Sequence, residues 1–359
     1  MSTVMVVIPA HDEAGSIGET LTAVLAQERP ADLVVVVPNG CTDDTAQVAR
    51  DAAGDDPRVV VWELPRLAHR KSEALNRAWA RFGDDHDYLV CLDGDTVLPP
   101  NAIGDWVAEL DADATLGGSS SKFTMLGGDL LTRLQRAEFA KWTVSALDRG
   151  WTSVLAGTGC IIRGSALREV AARPDRQGPY SYDSTTEDFE LTYRIRELGY
   201  RCQVSPTVRA YTDSMRTVRA LWGQRMKWQV GTVEDLMTFG VGRRTALDWW
   251  QQVLGLAAAF VRVSFVLMMG VNLALGTLSW HWYWWLAPLV FVANDVKQSL
   301  RIPHRDRRDV LLAALLVPQE AFAWMRAAWF LVGWGAALRS RVTGVRVDRW
   351  ALQYAAEGR

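Results

Sequence analysis

The sequence predicts an α/β protein with a mainly parallel sheet, helices on both faces of that sheet, and membrane-associated helices in its C-terminal part. Up to residue 92, short apolar runs alternate with helical patterns of roughly a dozen residues, which is typical of βαβ units. Polar loops follow these runs, as at the binding edge of an open α/β sheet. Long apolar stretches come later, so we expect a sheet-based domain at 1–240 and a helical membrane region at 241–359.

Four strand patterns and the helices between them fill the chain up to residue 92. The predicted strands are the apolar runs Val4–Pro9, Leu33–Val37, Val59–Leu64 and Tyr88–Leu92. Apolar residues at helical spacing predict helices at Ser16–Ala26 and Glu73–Phe82. Between these two helices, Thr42 is a residue type that begins helices, so we predict that it is a helix N-cap.

Five further elements are predicted between residues 116 and 239. They are an extended segment at Leu116–Phe123, an amphipathic helix at Asp129–Leu147, a loop leading into a strand at Ala156–Arg163, a helix at Thr185–Leu198, and a basic helix with tryptophans at Met215–Phe239. Glu187, Asp188 and Glu190 lie at the start of the fourth element. The helix dipole stabilises acidic side chains at the N-terminal end of a helix. N-terminal capping is therefore the alternative to a functional role for Glu187 and Glu190.

The composition limits the classes of function. A chain of 359 residues with 49% hydrophobic content can bury a full core and hold more than one unit. Its formal charge of -2 gives no polyanion-binding signature, so no nucleic-acid partner is expected. The four cysteines, Cys41, Cys91, Cys160 and Cys202, have no CxxC spacing. We therefore expect reduced, buried cysteines in a cytosolic part of the protein, and neither a disulfide framework nor a zinc site.

The fourth strand pattern ends in two carboxylates, Asp93 and Asp95, with only Gly94 between them. Ligands bind beyond the carboxyl ends of strands in open α/β sheets, so these acids should lie at the edge of a cleft. Two close carboxylates repel each other unless they share a cation, and their hard oxygen atoms suit Mg²⁺ or Mn²⁺. The alternative is an ordinary turn, since Asp and Gly both favour turns.

Six short motifs occur in an order and spacing that resemble the family 2 glycosyltransferases with a GT-A fold. They are IPAHDE at Ile8–Glu13, NGCTDDT at Asn39–Thr45, RKSEALN at Arg70–Asn76, DGD at Asp93–Asp95, TED at Thr186–Asp188 and QRMKW at Gln224–Trp228. The last motif resembles the QxxRW of membrane-bound members, which are related to cellulose, hyaluronan and chitin synthases and to ceramide glucosyltransferases. The resemblance covers roughly residues 1–240.

The resemblance implies a nucleotide-sugar donor, in the first place a UDP-sugar, and a divalent metal, Mn²⁺ or Mg²⁺. It assigns Asp93 and Asp95 to the metal, a Lewis acid that would stabilise the departing nucleoside diphosphate. The other donor-binding residues that it implies in this part of the chain are Pro9, Glu13, Asn39 and Lys71. Family members usually carry Asp where this chain has Asn39, whose amide can still donate to and accept from a uracil edge.

The resemblance also implies the catalytic base, which is Asp188 at the end of the TED motif. Direct displacement needs a base that takes the proton of the acceptor hydroxyl as it attacks from the opposite face, and the outcome is inversion. The alternative for Asp188 is a cap or a salt bridge. Gln224, Arg225 and Trp228 are implied to close over donor and acceptor, with the indole as a platform for a sugar ring. Lys227 replaces the usual Arg. This replacement keeps the positive charge but loses the bidentate hydrogen bonding of a guanidinium group.

Two segments of the C-terminal part predict a membrane hairpin. Val253–Leu275 has one interior charge, Arg262, and is long enough to cross a hydrocarbon core of about 30 Å. Trp280–Ala293 is the second segment, and the clustering of its tryptophans resembles an interfacial belt. These tryptophans are Trp280, Trp282, Trp284 and Trp285. The alternative is a buried hairpin of a soluble protein.

The third apolar region, Val310–Leu338, is interrupted by Pro318, Gln319 and Glu320. It is too short for two crossings, and a single crossing would place a basic tail outside, against the positive-inside tendency. We therefore predict a broken, re-entrant or interfacial helix pair that returns the C terminus to the cytosol. The basic loop Lys297–Arg308 should also be cytosolic. These features predict a protein of the cell membrane with a cytoplasmic catalytic domain.

Together the sequence predicts an inverting glycosyltransferase that acts on a membrane-associated acceptor, either a lipid-linked glycan or a glycolipid. A processive polysaccharide synthase is the alternative; it would need a homo-oligomer, because so few spans can hardly enclose a channel. A hypothesis of another class is a membrane-anchored nucleotide-sugar binding protein without chemistry. Nucleotide would stabilise such a protein, but no acceptor would lead to nucleotide release.

Overall fold

The computed structural model describes residues 2–83, 85–279, 281–282 and 286–358, which fall into two compact units. The first unit comprises the chain up to Leu126 together with Trp142–Ser214. The second comprises Gly127–Lys141 and the chain from Met215 onward. The sheet belongs to the first unit, and the second is helical in its described residues.

A seven-stranded sheet forms the centre of the first unit. Its strands are β1 (Val4–Ala10), β2 (Leu33–Pro38), β3 (Val59–Val61), β4 (Tyr88–Cys91), β5 (Leu116–Met125), β6 (Cys160–Arg163) and β7 (Arg201–Thr212). Their order across the sheet is β3-β2-β1-β4-β6-β5-β7. Strand β6 runs antiparallel to β4 and β5, and all other neighbours are parallel. The predicted α/β class with a mainly parallel sheet is confirmed.

Helices cover both faces of the sheet. The helices of this unit are α1 (Ile17–Leu25), α2 (Thr45–Ala53), α3 (Arg70–Ala78), α4 (Ala102–Ala112), α6 (Gly164–Ala171) and α7 (Glu187–Glu197), and α5 (Leu130–Arg149) belongs partly to each unit. In β1, Val6 and Ile8 pack into one core with α1 and α4, whereas Met5 and Val7 pack into another with α3, α6 and α7. A strand buried on both faces must be apolar throughout, which is why β1 shows no alternation.

Two predicted helix starts are wrong. Thr42 is not an N-cap, because α2 begins at Thr45 after Asp44. The backbone N–H of Thr42 instead donates to Asp12 Oδ1 at 2.6 Å, which holds Thr42 in the loop. Helix α3 begins at Arg70, three residues before the predicted start, and a single π-helical turn at Trp79–Gly83 continues it.

The third strand is shorter than predicted. It ends at Val61, because only Val59–Val61 pair continuously with β2. Leu64 pairs once more with Asn39 in an isolated parallel bridge. This bridge extends the alignment of the two chain segments to the point where the polar loop after β2 begins.

The described helices of the second unit that follow β7 in the chain are α8 (Val218–Phe239), α9 (Ala246–Ala274), α10 (Leu286–Ser299), α11 (Arg307–Ala314), α12 (Leu316–Thr343) and α13 (Arg349–Glu357). Helices α12 and α13 pack along α8, while α9 packs on α12 and α10 packs on α11. Leu221 and Val230 of α8 are buried against Phe322 and Trp329 of α12. Gly223 allows α13 to approach closely, since a Cβ there would lie 3.1 Å from Ala356 Cβ.

Among the described residues, two helices of the second unit have the length and composition to cross a membrane. They are α9, with 29 residues, and α12, with 28 residues. Large apolar side chains are exposed along α9, among them Phe260 and Leu267. A break at Leu315 separates α11 from α12. The predicted interruption at Pro318, Gln319 and Glu320 is wrong, because these residues lie inside α12.

The predicted second membrane segment is only partly described. Trp280, Trp284 and Trp285 lie outside the described residues, and Trp282 is exposed. Helix α10 runs from Leu286 to Ser299, beyond the predicted end at Ala293, and Lys141 of α5 forms an ion pair with its Asp295 at 2.8 Å.

Candidate functional site

The loops that follow three parallel strands of the first unit bring several polar and acidic side chains together. Asp93 and Asp95 follow β4, Glu13 follows β1, and Asn39 directly follows β2. Gly94 lies against Glu13, since a Cβ on Gly94 would be 3.2 Å from Glu13 Cγ. The strand order that places β1 between β2 and β4 therefore collects these side chains at one edge of the sheet.

Lys71 links the two acidic motifs. Its ammonium Nζ lies 2.5 Å from Asp93 Oδ1 and 3.3 Å from Glu187 Oε1. Burial alone would lower the pKa of Lys71, but Asp93 and Glu187 raise this pKa well above its ordinary value. Lys71 is therefore a fixed positive charge between the DGD and TED motifs.

Asp188 is held beside the same lysine by backbone groups. The N–H of Phe189 donates to Asp188 Oδ1 at 2.8 Å, and the N–H of Gly157 donates to Oδ2 at 3.4 Å. A Cβ on Gly157 would lie 2.6 Å from Lys71 Nζ and 3.8 Å from Asp93 Oδ1. Gly157 thus adjoins the predicted base and the predicted metal-binding acid at once.

Asp188 has the pKa of a base that works near neutral pH. Burial raises the pKa of Asp188 to about 6, and repulsion from Glu187 adds to the rise, while Lys71 and the two backbone hydrogen bonds oppose it. A general base is most effective when its pKa lies near the operating pH. The environment of Asp188 therefore fits the role that the TED motif implies.

Asp95 lies among other carboxylates. Burial raises the pKa of Asp95 to about 7, and repulsion from Asp93, Glu13 and Asp213 contributes to the rise. The hydroxyls of Thr96 and Thr212 donate to Asp95 Oδ1 at 3.2 and 3.3 Å. A buried group of carboxylates that repel one another is the environment in which a shared cation is most favourable.

Asn39, Glu13 and Pro9 lie at the other end of this sheet edge. Asn39 is buried, and its backbone carbonyl oxygen accepts a hydrogen bond from His11 Nδ1 at 2.8 Å. Glu13 Oε2 accepts a hydrogen bond from the hydroxyl of Ser16 at 3.0 Å. Pro9 is buried within β1 beside Val37, so only its backbone oxygen is suited to a ligand. Contacts of these three residues with a nucleoside stay predictions.

A small pocket joins the lysine to the base. Its lining includes Lys71, Cys91, Gly157, Tyr180, Glu187 and Asp188. Sequence reasoning does not identify Gly157 and Tyr180, and it leaves capping and a functional role open for Glu187. Glu187 does begin α7, but Thr186 is the N-cap residue, and the Glu187 carboxylate forms an ion pair with Lys71. The position of Glu187 within the TED motif is the signal that favours a functional role.

The QRMKW helix, α8, belongs to the second unit. Arg225 is buried and donates to Glu138 Oε2 of α5 from Nη2 at 2.9 Å, and its guanidinium lies 4.4 Å from the ring centre of Trp228. Burial lowers the pKa of Arg225, although Glu138 opposes this. Lys227 Nζ lies 3.2 Å from the ring centre of Trp350 in α13. Donor contacts of Gln224, Arg225 and Trp228 stay predictions.

Comparison with protein families gives one match over most of the chain. The model of the family described as "Glycosyltransferase like family 2" matches residues 2–231. The poly-β-1,6-N-acetyl-D-glucosamine synthase of Staphylococcus epidermidis is 24% identical over 237 residues, which are 64% of this chain and 54% of that protein. The probable glycosyltransferase YdaM of Bacillus subtilis is 27% identical over 247 residues, which are 66% of this chain and 56% of that protein. The chain spans about half the length of the curated relatives it matches.

The solved structures that are similar to this chain include the mannosyltransferase PcManGT from Pyrobaculum calidifontis in complex with GDP-Man and Mn²⁺. The TM-score is 0.66 at 20% identity, and the alignment covers 94% of this chain and 87% of that one. The likeness confirms the expected GT-A fold.

Proposed function

The chain belongs to the glycosyltransferase-like family 2, and we propose that it is an inverting glycosyltransferase with a membrane-associated acceptor. It would transfer a sugar from a nucleotide-diphosphate sugar to an acceptor hydroxyl. One observation carries the proposal, which is the position of Lys71 between Asp93 and Glu187, with Asp188 beside it across Gly157. Such a site has a positive charge for a departing anion and a base for an incoming alcohol.

The acidic pair suits a divalent metal, Mn²⁺ or Mg²⁺. Asp93 and Asp95 would hold it, and the raised pKa of Asp95 reflects burial and the repulsion that a cation would relieve. Such a metal supplies Lewis-acid stabilisation of the leaving diphosphate when it is bound. The related mannosyltransferase structure contains Mn²⁺, which supports the same class of cation here.

The chain's own groups account for the remaining chemistry. The acceptor oxygen forms a bond to the anomeric carbon while its proton passes to Asp188, and the bond from that carbon to the diphosphate oxygen breaks with its electron pair. Lys71 stabilises the negative charge that develops on the leaving group, because its ammonium is already fixed beside Asp93. Attack opposite to the leaving group inverts the anomeric centre.

The donor is proposed to be a UDP-sugar, bound through Pro9, Glu13, Asn39 and Lys71. The buried amide of Asn39 has both a donor and an acceptor for a base edge. The related mannosyltransferase structure contains GDP-Man, so a GDP-sugar is the donor to test against UDP-sugars. Gln224, Arg225 and Trp228 are proposed to contact donor and acceptor once these are bound.

The acceptor is proposed to lie at a membrane, as a lipid-linked glycan or a glycolipid. Helices α9 and α12 have the length and composition of membrane spans, and α9 exposes large apolar side chains over most of its length. A cell-membrane location with a cytoplasmic catalytic unit follows from this proposal. Processive polysaccharide synthesis by a homo-oligomer is the second candidate, which the similarity to poly-β-1,6-N-acetyl-D-glucosamine synthases favours.

A release assay tests the proposal. Purified full-length protein is incubated with UDP- and GDP-sugars, Mn²⁺ or Mg²⁺ and mixed membrane lipids, and free nucleoside diphosphate and product mass are measured. We expect one donor class to give product, and Asp188→Asn to lower kcat by about 10²–10⁴-fold with nucleotide Kd unchanged. Asp183→Asn, in the exposed loop before α7, is the matched control. Full turnover by Asp188→Asn would remove the base from its role.

A further inference from the structure

The loops after β1 and β2 bring together three side chains of the kinds that bind zinc. They are His11, Asp12 and Cys41, each partly buried, and their ligand atoms all lie within 4.8 Å of one another. We propose that these three residues form a second divalent-metal site, for a thiophilic cation such as Zn²⁺, separate from Asp93 and Asp95. This site stands on its own geometry and does not depend on the proposed glycosyl transfer.

His11 is oriented as metal-binding histidines are. Its Nδ1 must be the donor in the 2.8 Å hydrogen bond to Asn39, because a carbonyl oxygen cannot donate. This bond fixes the tautomer that has its lone pair on Nε2 when the ring is neutral, and Nε2 lies 3.9 Å from Asp12 Oδ2. Ligating histidines characteristically donate their other ring nitrogen to a carbonyl or carboxylate in this way.

Asp12 is held in place by an unusual backbone conformation. Its φ of 54° lies in the left-handed region, which is unfavourable for a residue with a side chain. The N–H of Thr42 donates to Asp12 Oδ1 at 2.6 Å, and the hydroxyl of Thr42 lies 3.2 Å from Oδ2. The carboxylate therefore bridges the two loops before any metal binds, and its Oδ2 is on the side of His11.

Cys41 supplies the third ligand from the second loop. Its Sγ lies 3.7 Å from the carbonyl oxygen of Ala10, and it is the one cysteine of the four that is not buried. The absence of CxxC spacing argued against a zinc site, but here the partners of the cysteine come from another loop. The fold, and not the local sequence, creates this group.

The donor set selects the class of metal. One imidazole nitrogen, one thiolate and one carboxylate oxygen suit Zn²⁺ or Co²⁺, whereas Mg²⁺ and Mn²⁺ prefer oxygen ligands. Ligand atoms on a tetrahedral zinc lie roughly 3.3–3.7 Å apart, given bonds of about 2.0–2.3 Å. The observed separations are at most 4.8 Å, so the ligand atoms need to approach one another by at most about 1.5 Å. Three protein ligands leave the fourth position for water, and the bound metal would link the two loops.

Cobalt spectroscopy tests the site in the full-length protein. We expect one equivalent of Co²⁺ to give a thiolate-to-cobalt charge-transfer band, which an excess of Zn²⁺ abolishes and an excess of Mg²⁺ leaves in place. We expect Cys41→Ser to lose the band, because a hydroxyl is a poor ligand for these metals. His86→Gln is the matched control, since His86 Nδ1 also bonds a carbonyl, that of Phe82, but lies outside the cluster. A band that persists in Cys41→Ser, or no band in the wild type, would overturn the proposal.

Two measurements on the wild-type protein do not depend on how the variants fold. Zn²⁺ should slow alkylation of Cys41 at least tenfold, as followed by mass spectrometry. At a hundredfold excess over its Kd, Zn²⁺ should raise the Tm by at least about 5 °C, because it binds only the folded arrangement. Unprotected Cys41 in saturating zinc would also refute the site.

Discussion

The ammonium of Lys71 lies 2.5 Å from the carboxylate oxygen Oδ1 of Asp93. Lys71 comes from the start of α3, and Asp93 comes from the end of β4. Because Glu187 also contacts Lys71, one cation joins the motif that we assign to the metal with the motif that holds the base. Charge at one end of the pocket therefore affects the other end directly.

Removing this cation should destabilise the first unit. In Lys71→Met, Asp93 and Glu187 lose their counter-charge. We expect the free energy of unfolding to fall by up to about 3 kcal/mol, which is the lower end of the range for breaking a buried ion pair. Urea denaturation measures it, and Lys71→Arg, which keeps the charge, is the control. An unchanged midpoint in Lys71→Met would show that the ion pair contributes nothing.

The rate should depend on pH through Asp188. The base is inactive when protonated, and its pKa is raised to about 6. We therefore expect kcat/KM to fall about tenfold per pH unit below pH 6 and to level off above it. Initial rates between pH 5 and 8 give the profile. A flat profile across pH 6 would contradict the assignment of the base.

The same shift predicts a pH-dependent gain in stability for Asp188→Asn. A carboxyl whose folded-state pKa is raised from 3.8 to about 6 stabilises the fold below pH 4 and loses this contribution as the pH rises through 6. The amide cannot ionise, so Asp188→Asn should melt about 6–12 °C above wild type at pH 8, for a gain of about 3 kcal/mol. The difference should vanish at pH 4. Calorimetry at both pH values checks the sign.

Gly157→Ala should lower kcat while it leaves the stability of the fold nearly unchanged. The added Cβ would lie 2.6 Å from Lys71 Nζ, the terminal atom of a long side chain that can be displaced without a backbone shift, so the fold can adjust at small cost. The ammonium must then leave its position beside Asp93. We expect stability within about 1 kcal/mol of wild type, and a kcat at least about tenfold lower, since about 1.4 kcal/mol of transition-state stabilisation corresponds to that factor. Normal turnover would mean that the position of Lys71 is not needed.

The buried pair in the second unit should be sensitive to loss of one partner. Arg225 and Glu138 have side chains that are 3% and 5% exposed, and their atoms are 2.9 Å apart. Glu138→Gln leaves the guanidinium of Arg225 buried without its counter-charge, and we expect a loss of about 3–5 kcal/mol. Glu234→Gln, on the same helix as Arg225, is the control. Equal denaturation midpoints for the two variants would contradict this.

The sequence predicts the strands and the motif residues of this protein better than the directions of its strands and the contacts between distant residues. β1, β2 and β4 are evident because strands buried on both faces must be continuous apolar runs, and Asp93, Asp95 and Asp188 follow from their motifs. The direction of β6 is not encoded in CIIR itself, since a short apolar run is compatible with either orientation. Only the completed sheet fixes it.

Interactions between distant residues account for what sequence reasoning missed. Thr42 has the residue type of a helix cap, but the Asp12 carboxylate in the preceding loop binds it instead. Glu187 looks like a capping residue because its partner Lys71 is 116 residues away in the chain. Gly157 has a role only because a lysine occupies the space where its side chain would be.

The C-terminal helix α13 has a practical consequence for how the protein is handled. Its Trp350 ring covers the ammonium of Lys227, and its backbone approaches Gly223 so closely that a Cβ there would lie 3.3 Å from Gln353 Cα. Deleting the chain from Arg349 would expose Lys227 and the surface of α8 around Gly223 to solvent. Affinity tags are therefore better fused to the N terminus, and truncated samples should be screened for aggregation before their activity is compared.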